Sequence, residues 1–192
     1  MYAAVVNGQA LTFDVECVWR RNMVIRDNET GTLWQHATGE GLVGPLQGEQ
    51  LTLLGGELIA WGGWKQAHPN SLAALEPEEW TGLVSKESVT AILEKVTRFA
   101  TVPGKTRRDE RLPAHETVIG IMVDGMARAY PLVELRRLGC VMDMVNGRQI
   151  EVIYDETHDV VRAFADGTQL IAQKTWWTGW YEFHPQSTIF GA

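Results

Sequence analysis

Four Asn-Gly or Asp-Gly dipeptides constrain the fold of this chain more than any other feature. They are Asn7-Gly8, Asp124-Gly125, Asn146-Gly147 and Asp166-Gly167, and each lies between short apolar or alternating segments. Both central residues of a type I′ turn need positive φ, which Asn, Asp and Gly tolerate, so each dipeptide predicts a β-hairpin. The flanking segments predict strands at 2–6, 9–19, 117–123, 126–130, 140–145, 148–154 and 159–165. We therefore expect a chain rich in antiparallel strands.

Helical patterns are confined to a few short segments. The apolar spacing predicts helices over 57–68, over 86–99, directly after Pro131, and over 175–183. We expect the first helix to end at His68-Pro69 and the third to end at Gly139. Together with the hairpins, these patterns predict an α+β fold of β-rich antiparallel sheets with a few short helices.

A charged segment bounded by prolines, residues 101–116, divides the chain. Its composition is typical of an exposed linker. It separates an N-terminal half, 1–100, from a C-terminal half, 117–192. A chain of 192 residues can bury a sizeable interior, and we expect the two halves to share one core.

One tryptophan-rich motif occurs twice, as WGGWKQAHPNS from Trp61 and as WTGWYEFHPQS from Trp177. Both copies read Trp-x-Gly-Trp-x-x-x-His-Pro-x-Ser. On a helix, positions i, i+3 and i+7 share one face, so both tryptophans and the histidine should project together. The histidine should lie at the helix C-terminus, where the dipole favours its cationic form. The repetition predicts two related halves.

The motif supports two interpretations of its side chains. In the first, the tryptophans are core anchors and the histidines cap the helix ends. In the second, they form an aromatic-walled pocket with a histidine at its mouth. The residues concerned are Trp61, Trp64, His68, Trp177, Trp180 and His184.

Polar candidates for a site concentrate in residues 22–36, and they are Asn22, Asp27, Glu29, Trp34 and His36. Asp27 to Gly31 has the composition of a turn stabilised by the aspartate side chain. Alternatively, Asp27 or Glu29 works with His36 as an acid/base pair or as metal ligands. A transition metal would have to draw its ligands from distant segments, with His36, His68, Asp155, His158 and His184 as candidates. Asp155 and His158 also fit a polar hairpin loop.

Composition excludes several classes of function. A net charge of −7 argues against binding to nucleic acid or to an anionic membrane surface. The chain has no phosphate-binding loop, no GxSxG elbow and no GxGxxG dinucleotide motif. Without a signal peptide or an apolar run long enough to span a bilayer, we expect a soluble cytoplasmic protein, or an exported one if a leader is missing. Cys17 and Cys140 are expected to be buried thiols, with a single bridge between them left open.

Two segments resemble bacterial domain-of-unknown-function family 3179 (DUF3179). The first is NMVIRDNETGTLWQHATGEGLVGPLQGEQLTLL, from Asn22 to Leu54, which is followed by the first Trp-rich motif. The second is VIGIMVDGMARAYPLVEL, from Val118 to Leu135, which is similar to the opening half of the family domain. The order and content depart from the family, because the Ala-Tyr-Pro half comes late here. The cysteines of the family's Tyr-Cys-Pro-x-Cys segment are replaced by Asp155 and His158. The resemblance implies a fold and no established reaction.

Three hypotheses about function remain open at this point. The leading one is a module that binds a small ligand or a protein partner in a Trp- and His-lined pocket. The first alternative is a metal-assisted hydrolase or oxidoreductase with His, Asp and Glu ligands. The second is a structural scaffold in which every tryptophan belongs to the core.

Overall fold

The computed structural model describes residues 1–20, 22–56, 59–73 and 109–191. The strands within these ranges are β1 Val5–Val6, β2 Gln9–Ala10, β3 Phe13–Trp19, β4 Asn22–Asp27, β5 Leu33–Gln35, β6 Gly41–Val43, β7 Thr117–Val123, β8 Met126–Pro131, β9 Cys140–Val145, β10 Arg148–Asp155, β11 Val160–Ala165, β12 Thr168–Leu170, β13 Ala172–Trp176 and β14 Thr188–Ile189. The helices are α1 Trp61–Ala67, α2 Leu132–Leu138 and α3 Trp177–Phe183. The prediction of a β-rich α+β fold is confirmed.

The chain divides into two compact units. The larger unit combines Met1–Ala60 with Arg107–Ala192, and the smaller unit is Trp61–Thr106. Helix α1 belongs to the smaller unit, whereas every described strand belongs to the larger one. The predicted halves, 1–100 and 117–192, and their common origin stay predictions.

The N-terminal part of the larger unit is an antiparallel sheet with the strand order β3-β4-β5-β6, preceded by the β1-β2 hairpin. Its core consists of Val6, Leu11, Trp34 and Leu51. The predicted strand 9–19 is two strands, because the chain changes partners between them. Leu11 N donates to Ala4 O, whereas Asn28 N donates to Thr12 O.

The C-terminal part contains two sheets that share a core with helix α2. One sheet has the order β12-β11-β10-β9, and the other has the order β13-β7-β8-β14, with β14 parallel to β8. Ile121, Tyr130, Leu135 and Ile150 are fully buried members of this core. A second cluster, which includes Val118 and Ala129, lies under helix α3.

All four predicted hairpin turns are confirmed. Both residues of each dipeptide have positive φ. Examples are 50° at Asn7 with 80° at Gly8, and 50° at Asp166 with 77° at Gly167. The helix after Pro131 is also confirmed, since α2 ends at Gly139 with φ 73°. The predictions at 57–68 and 175–183 are too long at their N-terminal ends. In the second case, residues 172–176 pair with β7 as a strand. The predicted helix 86–99 lies outside the described residues.

The structure corrects two expectations about burial. Cys17 and Cys140 are both exposed and free. Strand β3 is exposed along most of its length, and Cys140 lies on the face of β9 opposite the buried Val141. The hypothesis that every tryptophan is core is wrong, since Trp19 and Trp176 are 49% and 44% exposed. None of the described helices is long and apolar enough to cross a membrane.

Candidate functional site

A pocket of about 230 Å³ in the larger unit brings together four of the predicted site residues. Asn22 and His36 come from the N-terminal sheet, and Trp180 and His184 come from the C-terminal motif. The lining also includes Tyr2, Leu53, Lys174, Thr175, Gly179 and Phe183. Residues more than 140 positions apart in the sequence therefore meet at one concave surface, which we call the His36–His184 pocket.

The end of helix α3 fixes His184 at this pocket. His184 N donates to Trp180 O at 2.9 Å, and Pro185 ends the helix. The imidazole lies against the Trp180 indole, with ring centroids 4.1 Å apart. Trp180 Nε1 in turn donates to Ser187 Oγ at 2.8 Å, which ties the helix to the turn that follows.

The charge state of His184 differs from the expectation based on the helix dipole. Burial lowers the pKa of His184 below its usual value, because desolvation penalises the imidazolium. Burial therefore dominates at this residue over the favourable effect expected of the helix C-terminus. At neutral pH the imidazole in the pocket is uncharged, with one ring nitrogen donating and the other accepting.

Gly120 on strand β7 provides the seat for the Trp180 ring. A Cβ atom at Gly120 would lie 2.3 Å from the ring atoms Cε3 and Cζ3 of Trp180. The indole thus packs directly on the backbone of the sheet, beside Val118 and Ala129. This close approach holds the wall of the pocket rigidly.

The opposite wall is built around the N-terminal segment and the end of strand β5. His36 is exposed, and its backbone N donates to Met23 O at 3.0 Å. The Tyr2 ring meets the His36 ring edge to face at 6.4 Å. Tyr2 also donates from its hydroxyl to Ala37 O at 2.8 Å, and burial raises the pKa of Tyr2. Asn22 Oδ1 accepts a hydrogen bond from Met23 N.

An ion pair that the sequence does not reveal connects the two walls. Arg20 Nε lies 2.8 Å from Oε1 of Glu182, and Arg20 Nη2 also donates to Glu182 O. The guanidinium lies over the Phe183 ring at 5.0 Å, and Arg20 has a positive φ of 52°. Glu182 lies within the motif, but its partner is 162 residues away, so no local signal marks the pair.

Asp27, Glu29 and Trp34 lie in or beside a turn and do not line the pocket. Buried Asp27 accepts hydrogen bonds from Trp34 Nε1 at 2.8 Å and from Thr30 and Gly31. Burial would raise the pKa of Asp27, but these hydrogen bonds outweigh it and lower the pKa. Glu29 accepts hydrogen bonds from the backbone and hydroxyl of Thr12, which lower its pKa. The arrangement is the aspartate-stabilised turn that the composition indicates.

The first copy of the motif has the same internal contacts as the second. His68 N donates to Trp64 O at 2.8 Å, and the His68 and Trp64 ring centroids are 4.0 Å apart. Trp64 Nε1 donates to Ser71 Oγ at 2.9 Å. However, Trp64 is 36% exposed and Trp61 is 50% exposed, in contrast to 3% for Trp180. The two copies therefore share these internal contacts, but the tryptophans of the first copy are more exposed than Trp180.

Trp177 is a core residue of the second motif. It is 1% exposed, and its ring packs under the Arg111 guanidinium at 5.1 Å. Among the described residues, no acceptor meets hydrogen-bond geometry with Trp177 Nε1. Burial would raise the pKa of Asp109. Hydrogen bonds from Arg111 and the weaker approach of the Trp177 N–H outweigh burial, so the pKa of Asp109 is lowered.

The metal-ligand candidates are not assembled into one site. His158 Nδ1 lies 2.7 Å from Asp155 Oδ2 in the turn between β10 and β11, and this contact lowers the pKa of Asp155. His36 and His184 line the pocket, and His68 follows helix α1. Within the described part of the chain, no three His, Cys, Asp or Glu side chains come close enough to hold a metal ion. The metal hypothesis gains no geometric support there.

The described residues form a β-rich α+β fold that carries a small polar and aromatic cleft. A family model described as "Protein of unknown function (DUF3179)" matches residues 1–170, so the chain belongs to this family. Asn22 and His36 lie within the matched range, whereas helix α3 follows it. No curated protein and no solved structure matches the chain.

Proposed function

We propose that this protein binds a small ligand in the His36–His184 pocket. The observation that carries the proposal is the meeting of Asn22, His36, Trp180 and His184 at one cleft. Concave sites with apolar walls and a few convergent polar groups are the usual places for small-molecule binding. The two imidazoles and the amide supply directional hydrogen bonds, while Tyr2 and the motif tryptophan supply apolar contact.

The size of the pocket limits the ligand. A volume of about 230 Å³ is below the usual range of about 300–1,000 Å³ for drug-sized ligands. It corresponds to roughly eight water molecules at about 30 Å³ each. This volume suits a compound of one ring or a short chain, so a small molecule is favoured over a peptide or a protein partner.

The surrounding contacts support a preformed site. The Arg20–Glu182 pair connects the two walls, and Gly120 seats the indole without room for adjustment. A ligand entering such a site spends little binding energy on ordering the protein. Weak but specific binding of small fragments is therefore expected.

The test is a fragment screen monitored by two-dimensional amide NMR on the full chain. Fragments of about ten heavy atoms or fewer should shift the signals around His36 and His184. Gly179→Met places a side chain in the pocket and should abolish these shifts. Gly62→Met is the matched control, because Gly62 lies on helix α1 with nothing within 4 Å of an added Cβ.

Two outcomes would contradict the proposal. A screen that leaves the signals around His36 and His184 unmoved, while the protein remains folded, would exclude a binding function for this pocket. Binding that survives Gly179→Met unchanged would place the ligand elsewhere.

A further inference from the structure

The charges around the His36–His184 pocket are unevenly distributed. None of the described residues that line it is an aspartate or a glutamate, although the chain carries a net charge of −7. The cationic Lys174 lines the pocket and has its ammonium nitrogen 3.5 Å from Asp159 Oδ2. The nearby carboxylate of Glu182 is matched by Arg20. Both of these side-chain charges are thus paired, which leaves the two imidazoles as the uncharged side chains that can accept a proton.

Of the two imidazoles, His184 is the more enclosed, because His36 is exposed. His184 is half-buried, with one face against Trp180. The other ionisable side chains that line the pocket are Tyr2 from the N-terminal segment, His36 after strand β5 and Lys174 on strand β13. None of these carries a negative charge at neutral pH, so nothing in the empty pocket compensates a proton on His184.

A bound anion would supply that compensation. An opposite charge within hydrogen-bond reach favours the charged form of an imidazole, and hydrogen bonds between ionised groups are about twice as strong as neutral ones. The remaining lining of Tyr2, Leu53 and Phe183 suits an apolar body on the same ligand. The volume limits that body to about one ring.

We infer that the His36–His184 pocket takes a small monocarboxylate with an apolar body, and that binding is coupled to the uptake of one solvent proton by His184. This inference rests on the function proposed above and specifies the class of ligand. The carboxylate lies between the two imidazoles, and its apolar part lies against Tyr2 and Phe183. The cation formed at His184 and the bound anion neutralise each other within the pocket.

Three probes of the same size and shape separate charge from fit. Benzoate is an anion, benzamide is neutral and benzamidine is a cation. Titration calorimetry with the full chain should show benzoate binding at least about fivefold more tightly than benzamide, as expected for a charge-assisted contact. Benzamidine should bind more weakly than either. The affinity for benzoate should fall at least about threefold from pH 5.5 to pH 7.5, because the proton that binding takes up becomes less available as the pH rises.

Proton uptake and its location have independent readouts. The enthalpy of benzoate binding should change between buffers of different ionisation enthalpy by the amount that one proton requires. In NMR titrations of the five histidines, the pKa of His184 should rise on addition of benzoate. His184→Gln should remove the pH dependence. His68→Gln should leave it unchanged, since His68 has the same stacking in the first motif but does not line the pocket.

The outcomes distinguish this inference from the proposed function. If benzamide binds the pocket as tightly as benzoate, with no dependence on pH, the pocket binds ligands but the carboxylate inference is wrong. If none of the three probes binds while other fragments shift the pocket signals, the ligand class is again wrong. If no fragment of any charge binds there, the proposed function itself fails.

Discussion

The repeated motif allows one hydrogen bond to be removed in two environments within the same chain. Trp180 Nε1 donates to Ser187 Oγ at 2.8 Å, and Trp64 Nε1 donates to Ser71 Oγ at 2.9 Å. The first pair is buried, with Ser187 at 0% and Trp180 at 3% exposure, whereas Trp64 is 36% exposed. Replacement of either serine by alanine removes the same acceptor. The two substitutions therefore differ mainly in whether water can replace the lost partner.

The expected costs follow from that difference. In Ser187→Ala, the indole N–H stays buried without a partner, which costs about 2 kcal/mol. In Ser71→Ala, solvent reaches the indole, and the cost should be under about 0.5 kcal/mol, as for ordinary surface substitutions. For a urea m-value of about 2 kcal/mol per molar, the midpoint of unfolding should fall by about 1 M for Ser187→Ala. The fall for Ser71→Ala should be about 0.25 M or less.

The assay is urea unfolding of the wild type and both variants, followed by tryptophan fluorescence and circular dichroism. A double-mutant cycle with Trp180→Phe isolates the hydrogen bond, because Phe removes the donor. Equal shifts for the two serine variants would show that burial does not set the cost. An unchanged midpoint for Ser187→Ala would show that the buried hydrogen bond contributes nothing to stability. Either result would contradict the expected dependence of the hydrogen bond on burial.

Three other substitutions probe the packing and charges around the site. Gly120→Ala should destabilise the fold by about 3 kcal/mol in urea unfolding, because the new methyl group would overlap the Trp180 ring. Hydrogen bonds from neighbouring side chains lower the pKa of Asp159 to about 2, below the usual unfolded value of about 3.9. Its ionised form therefore stabilises the fold above about pH 4, and this stabilisation is lost as pH falls toward 2. In Asp159→Asn, the melting temperature should therefore depend less on pH between about pH 4 and pH 2. Arg20→Ala leaves the Glu182 carboxylate buried without its partner and should lower the urea midpoint by the equivalent of about 1–2 kcal/mol.

Matched controls separate these effects from general damage. Gly55→Ala adds the same methyl group where nothing lies within 4 Å, so its midpoint should not fall. Arg26→Ala breaks a pair with Glu16 in which both side chains are exposed, and it should cost under about 1 kcal/mol. A Gly120→Ala protein as stable as the wild type would contradict the close packing of the indole. A melting temperature with the same acid dependence in Asp159→Asn would remove Asp159 from the groups that set it.

Sequence reasoning predicts the elements whose structure is set by neighbouring residues. The Asn7-Gly8 and Asp166-Gly167 turns follow from the backbone preferences of two residues each, and α2 follows from Pro131 and Gly139. Local preference fails where a segment has a stronger partner elsewhere. Thr175 and Trp176 belong to the predicted helix 175–183, but they pair with β7 because the sheet offers a full ladder of hydrogen bonds.

The candidate site was predictable only in part. Asn22, His36, Trp180 and His184 were identifiable as polar or aromatic residues in distinctive segments, but their meeting depends on tertiary structure. The Arg20–Glu182 pair has no signal in either segment alone. Which face of a strand becomes buried also depends on tertiary structure, so residue type alone did not predict the exposure of the two cysteines.

The two motif copies show how far local sequence determines function in this chain. Each copy places an imidazole against an indole at about the same centroid distance, 4.0 Å at His68 and 4.1 Å at His184. The motif alone therefore specifies only how the histidine is presented. At His184, the glycine seat beneath Trp180 and the polar residues opposite produce burial, and burial lowers the pKa of the imidazole. The lowered pKa favours proton-linked binding, because an imidazole that is uncharged in the empty pocket can take up a proton together with an anion. The motif thus fixes the position of the histidine against the indole, and the residues across the pocket determine how far the imidazole is buried.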